Sequence, residues 1–269
     1  MNRWMTKRSI ALAAGVLMTS CFLMPAVAFA EDDEEKSATD IIERAVERNA
    51  LGFEAGRAQV SLTVFDREGE KQDRKLDVRS RRDDDRGRTV MTLTAPAEVR
   101  DQAFLFVENP ESDDDMWMYV PAFEVTRRVE GSQRRSSFLG THFTFADLES
   151  RDLRDATHRR QADETIGDHD VYVVEARPKQ PEQSDYERVV AYVRKSDYIP
   201  LRIRFYDRDG DLDKTLFTER LESTGDDVTY VERATLRAES GGYTTIEIED
   251  LDTEVELPAS LFDREEFGR

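Results

Sequence analysis

The sequence predicts a mainly β protein: a strongly curved antiparallel sheet, an open or half barrel, with one N-terminal helix. Three observations predict it. From Val60 onward apolar and polar residues alternate in run after run, short Gly, Pro and Asp turns divide the runs, and no helical stretch lies between them. Parallel βαβ units need such helices, so these strands join by hairpins. About ten strands in one sheet curl, and with few helices to cover it the curled sheet keeps a concave apolar face.

Taking the chain in order, residues 1–30 read as a secretory leader. Arg3, Lys7 and Arg8 precede an apolar run from Ile10 to Leu23, and Ala28-Phe29-Ala30 supplies a small-x-small cleavage site. Cys21 lies inside this leader. Met18, Thr19 and Ser20 match a lipoprotein-processing site poorly, and the apolar run continues past the cysteine to Phe29, so a soluble product starting at Glu31 is favoured over lipid attachment. That product has no cysteine, which excludes disulfides, cysteine catalysis and thiolate metal sites. Its length of about 240 residues suits one large all-β domain or two small ones, and no further apolar run can span a membrane.

Residues 31–37 are predicted to be a disordered, charged start, and residues 38–269 a single domain without a linker. Ser37 and Asp40 stand at capping-box spacing before Ile41, Ile42, Ala45 and Val46 at helical intervals, with Gly52 as the stop. The period then becomes two. Val60, Leu62 and Val64 form a strand, Asp66 to Gly69 a turn, Leu76 and Val78 a second strand, and Met91, Leu93 and Ala95 a third that ends at Pro96. Ala103 to Val107 is continuously apolar, as a strand covered on both faces is.

Beyond Gly167 the strand and turn rhythm repeats through Val171 to Val174, Val189 to Val193, Leu201 to Tyr206, Leu212 to Leu221, Val228 to Leu236 and Tyr243 to Leu251.

The formal net charge is −19, and −22 without Arg3, Lys7 and Arg8. With acidic residues spread along the chain, nucleic acid and anionic membrane surfaces are disfavoured as partners of the body of the protein. Its basic residues are overwhelmingly Arg. A saline habitat and a GC-rich genome both account for that.

No catalytic constellation assembles, so the expectation is a protein that is not an enzyme and carries no cofactor and no metal. His142, His158 and His169 belong to no HExxH pattern, and neither a Gly-x-Ser-x-Gly elbow nor a Gly-rich phosphate loop occurs. The string Asp207, Asp209, Asp211 and Asp213 has alternating acids like a calcium loop. However, Gly210 stands fourth rather than sixth and Glu219 falls one residue late, so Asp209-Gly210 is read as a hairpin turn.

The most distinctive stretch runs from Met116 to Glu149. Trp117, Tyr119 and Val120 alternate before Pro121; Phe123, Val125, Arg127, Arg128 and Val129 read as a second strand. Polar residues from Gly131 to Ser137 then give way to Phe138, Leu139, Gly140, Phe143 and Phe145. A solvated loop has no need of these rings: either they fill a core or they cover something apolar. Arg127, Arg128, Arg134 and Arg135 form a local basic cluster. Pairing with Glu124 and Glu130 is one reading, docking of an anionic head group or an acidic partner the other.

Trp117, Tyr119, Pro121, Arg127, Arg128, Ser137, Phe138, Leu139, Gly140, Phe143, Asp147 and Leu148 together resemble the outer membrane lipoprotein-sorting, LolA-like family, and the resemblance extends over nearly the whole of the chain after the leader. It departs at Thr141-His142, where a small or acidic pair is expected. The resemblance implies a half-open curved sheet with short lid helices over an apolar cavity that holds the acyl chains of a lipoprotein or lipid in the periplasm. Trp117, Tyr119, Phe123, Phe138, Leu139, Phe143 and Phe145 are then the cavity and lid residues, with Gly140 as a flexible point. The arginine cluster becomes the docking surface. The expected product is a monomeric carrier between envelope membranes, and the competing reading is an adaptor of an inner-membrane RND-type export complex.

Overall fold

The computed structural model of the protein describes residues 36–48, 55–83, 86–109, 114–149, 151–224 and 228–268. The predicted leader with Cys21 and the predicted helix stop at Gly52 lie outside them. Helix α1 (Ala38–Glu47) starts where the sequence places it, because the Ser37 hydroxyl accepts the Asp40 backbone N–H at 3.1 Å. Its four aliphatic residues, Ile41, Ile42, Ala45 and Val46, are all buried on one side.

Among the described residues fourteen strands follow: β1 (Gly56–Phe65), β2 (Lys71–Asp83), β3 (Arg86–Ala95), β4 (Ala103–Val107), β5 (Asp115–Val120), β6 (Val125–Arg128), β7 (Ala156–Arg160), β8 (Glu164–Ile166), β9 (His169–Pro178), β10 (Tyr186–Arg194), β11 (Pro200–Asp207), β12 (Leu212–Ser223), β13 (Thr229–Ala238) and β14 (Tyr243–Asp252). The only other α-helix among the described residues is the single-turn α2 (Arg151–Arg154); the remaining helical turns are 3₁₀. Strands β7 and β8 escape the sequence pattern. Ala156–Arg160 carries almost no apolar residue, since it lies at a sheet edge and needs no buried stripe. The Asp207 to Asp213 string is the β11–β12 hairpin, where Gly210 at φ +87° donates to the Asp207 carbonyl at 3.0 Å and the Asp207 carboxylate accepts the Asp209 and Asp211 amides.

All strands pair antiparallel in one curved, unclosed sheet of order β6-β5-β4-β3-β2-β1-β14-β13-β12-β11-β10-β9-β7, with β8 beside β9. The order dictates the path. The chain enters at the middle of the sheet with β1, meanders out to the edge at β6, must cross to the opposite edge at β7, and meanders back until β14 pairs with β1, Leu62 against Ile246. Residues 129–155 make that crossing, and they contain the aromatic stretch.

One face of the sheet gathers the main core: Val60 and Leu62 of β1, Leu76 and Val78 of β2, Leu93, Phe104, Ile203, Leu216 and Leu236, closed by Phe138 and Phe143 of the crossing segment. Helix α1 packs on the same face further along, against Tyr172, Val174, Ala191 and Val193, and Leu153 of α2 touches both groups. Strand β4 is covered on both sides as its apolar run requires. Phe104 faces the crossing segment, while Ala103 and Leu105 meet Phe262 and Phe267 of the C-terminal segment.

Candidate functional site

The crossing segment covers the main core on the inner face of the sheet. Phe138 and Phe143 are 3 % and 8 % exposed. Phe138 meets Phe104 edge to face at 5.1 Å, Phe106 at 6.4 Å and Phe145 at 5.3 Å between ring centres. Leu139 and Phe145 pack against the same core from partly exposed positions. A tight turn gives the segment its shape: Leu139 and Gly140 both take positive φ, at 55° and 75°, the Thr141 amide donates to the Phe138 carbonyl at 2.9 Å, and the Phe138 amide donates to the Phe143 carbonyl at 2.7 Å.

The other ring positions of the predicted site go elsewhere. Met116 and Met118 take the inward side of β5, so alternation turns Trp117 and Tyr119 outward, where they pack with Phe262 and Phe267. Phe123 is not in a strand; Pro121–Phe123 is a tight helical turn between β5 and β6, followed by Glu124 at φ 52°, and the Phe123 ring is 73 % exposed. Pro121 is what starts that turn, because its ring fixes φ and removes a ladder donor.

A buried charged group fastens the segment to the sheet. The Asp147 carboxylate, with its side chain 1 % exposed, accepts from Lys214 Nζ of β12 at 2.6 Å, from the Tyr186 hydroxyl of β10 at 2.5 Å and from the Thr144 amide at 2.6 Å. Burial, reinforced by the charge of Asp147, pushes the Tyr186 phenol far above its usual range and keeps it a donor. Burial also raises the neighbouring Asp213 carboxyl. Lys214 was legible in one respect: it stands at an inward position of β12, between Leu212 and Leu216, in a chain that uses few lysines.

Thr141 and His142 make the remaining contacts. The Thr141 hydroxyl donates to the Phe138 carbonyl at 2.6 Å. The His142 amide donates to Thr244 Oγ1 of β14 at 3.0 Å, with the imidazole Nδ1 2.9 Å from the same oxygen. The imidazole lies so close to the β13–β14 turn that a Cβ at Gly242 would meet His142 Nε2 at 2.7 Å. Burial holds the His142 pKa below its ordinary 6.5, partly offset by a hydrogen bond with the Gly241 backbone. The native state therefore favours neutral imidazole, and this stabilising contribution is present above about pH 6.5 and lost as pH falls below it. Melting temperatures measured from about pH 7 down to about pH 5 are expected to fall less steeply in His142→Gln than in the natural protein; parallel curves would refute the assignment.

The arginine cluster lines a cavity of about 590 Å³ beside the segment, where Arg128, Arg134 and Arg135 face Glu130, Glu149, Glu182 and Asp185. Carboxylates outnumber the guanidinium groups here. Arg128 pairs with Asp115 and, at 2.8 Å, with Glu130; Arg134 pairs with Glu149 at 2.7 Å; Arg135 pairs with Asp185 at 2.9 Å. Arg127 is exposed and has no ion pair among the described residues. A second cavity of about 470 Å³, between His169, Arg194, Leu201 and the bulged part of β12, is also lined by charged groups.

Among the described residues no helix is long and apolar enough to cross a membrane. A family model described as "Uncharacterized protein" matches residues 85–269, more than half of the chain. No curated protein matches. Among solved structures, a domain from Vibrio parahaemolyticus named for outer membrane lipoprotein sorting is 26 % identical, over 87 % of this chain and 100 % of that domain, with a TM-score of 0.77. A DUF1329 family protein from Desulfovibrio piger is also 26 % identical, covering 84 % of this chain and 95 % of its own, with a TM-score of 0.75. A LolA superfamily protein from Nitrosomonas europaea, 22 % identical over 85 % of this chain and 98 % of its own, shares the fold with a TM-score of 0.65.

Proposed function

The chain belongs to a LolA-like family, and from that premise we propose that it is an exported, periplasmic carrier that holds the acyl chains of a lipoprotein or lipid against the inner face of its sheet and ferries them between envelope membranes. One observation carries the reading. Over the main core, the apolar face of an unclosed sheet is covered by a loop-built segment fastened through Asp147, while helix α1 covers the same face only further along.

Such a cover can lift while the sheet stays folded, because few regular backbone bonds break when it moves. Phe104 of the sheet and Phe138, Leu139, Phe143 and Phe145 on the segment itself offer an apolar surface between the two, and each methylene of cargo buried there contributes about 0.8 kcal/mol. In this reading the polar end of the cargo lies in the mixed-charge cavity beside the segment, which suits a zwitterionic or neutral polar group better than a bare anion, since its arginines are already paired.

A specific observation also favours the adaptor of an export complex: the rings pack against one another and the two cavities described are charged rather than apolar. The two readings separate on purified protein. A carrier yields lipid on organic-solvent extraction followed by mass spectrometry and takes up a fluorescent acyl probe. Protein with neither property is the adaptor.

A further inference from the structure

The face of the sheet turned away from the crossing segment carries a stripe in which rings and guanidinium groups alternate across five neighbouring strands and end on a ring of a sixth. Arg202 of β11 lies over Tyr192 of β10, 5.2 Å from the ring centre, and within 5.7 Å of Phe217 of β12; Arg237 of β13 lies 6.0 Å from Phe217 and 5.9 Å from Tyr243 of β14, which stacks on Phe65 of β1 at 4.7 Å. The strand register sets Arg202 directly opposite Tyr192 and Phe217, and Tyr243 directly opposite Arg237 and Phe65, so all of these point to one side. Arg204, two residues from Arg202, lies over Tyr192 as well and donates to its hydroxyl at 3.1 Å. At about 4.8 Å per strand the stripe is about 24 Å long.

Its charge is what sets it apart. Most arginines of this acidic chain are held by carboxylates, but among the described residues Arg202, Arg204 and Arg237 have none within ion-pair distance. Two acids on neighbouring strands, Glu219 and Glu247, are taken by Arg233. The Arg202 Nε is buried without a partner. A guanidinium held within cation–π distance of rings is positioned by them and can still offer N–H groups for bidentate contact with an oxyanion.

We propose that this stripe docks an extended acidic segment of a partner polypeptide, whose carboxylates take the three unpaired guanidinium groups. Charge complementarity favours a short segment over an anionic bilayer, since a surface extending past the stripe meets the repulsion of a chain whose formal charge is −19. The inference stands independently of the carrier reading.

The test uses the whole purified protein and a fluorescent peptide of about twelve residues with Glu at alternate positions, beside its Gln counterpart. Fluorescence anisotropy is expected to show saturable binding of the Glu peptide that weakens with salt, and none of the Gln peptide. Arg237→Gln, at an exposed position, and Arg204→Gln should each lower the affinity about tenfold, whereas Arg233→Gln, whose charge is already paired, should stay within about twofold. Arg237→Lys should lose most of the Arg237→Gln effect's affinity too, because the flat fork is lost while the charge remains. Equal losses at Arg233 and Arg237 would reduce the result to bulk charge and overturn the proposal. So would failure of the Glu peptide to bind, alone or together with binding of phosphatidylglycerol vesicles that Arg237→Gln abolishes.

Discussion

Replacing Lys214 with methionine is expected to lower the unfolding free energy by about 3–5 kcal/mol, because it leaves the Asp147 carboxylate buried without its counter-charge. The two side chains are 5 % and 1 % exposed, so water cannot take over the lost contact. Among the described residues, the Tyr186 hydroxyl and the Thr144 amide remain to satisfy Asp147. The double variant Lys214→Met, Asp147→Asn removes both charges and is expected to recover part of the loss, the non-additivity expected of residues in direct contact. Urea denaturation measures the first effect. Hydrogen exchange locates it: the Phe138, Thr141 and Phe145 amides, whose bonds lie within the crossing segment, should exchange faster in Lys214→Met while those of β1 and β14 keep their relative protection. A loss below about 1 kcal/mol with unchanged exchange in the segment would mean that the pair does not fasten it.

Phe138→Ala should cost a similar amount, about 3–5 kcal/mol, since it empties the centre of a ring cluster that includes Phe104, Phe106 and Phe145. Phe123→Ala is the control. Its ring is 73 % exposed and its loss should change stability by no more than about 0.5 kcal/mol. Equal effects at the two positions, read from urea midpoints at constant m-value, would contradict the placement of Phe138 in the core.

Both predictions depend on contacts between residues far apart in the chain, and this marks the boundary of what could be read from sequence. The alternation at Val60, Leu62 and Val64, the Asp209-Gly210 turn and the Ser37 cap are local patterns. Each has one cheap backbone solution, and each is where the sequence placed it. The rings of Phe138, Phe143 and Phe145 were visible as too apolar for a solvated loop, but their periodicity could not say what they cover. Strand alternation could likewise tell that Trp117 and Met118 face opposite ways without saying which way is in.

The sequence by itself therefore determined an antiparallel sheet with one capped helix, a central stretch too aromatic to be a plain loop, and a strongly acidic chain. Those properties follow from residue type and spacing over a few neighbours. The strand order was decided only by the tertiary structure, because β1 and β14 join across the middle of the sheet and force residues 129–155 to cross its face. That crossing brings Asp147 to Lys214 and Tyr186, while the choice of inner face sends Trp117 and Tyr119 to the C-terminal segment and the register gathers Arg202 and Arg237 on the opposite face, where among the described residues neither they nor Arg204 have a carboxylate within ion-pair distance. Contacts of this kind form between residues many tens of positions apart, whose meeting depends on the register of every strand between them.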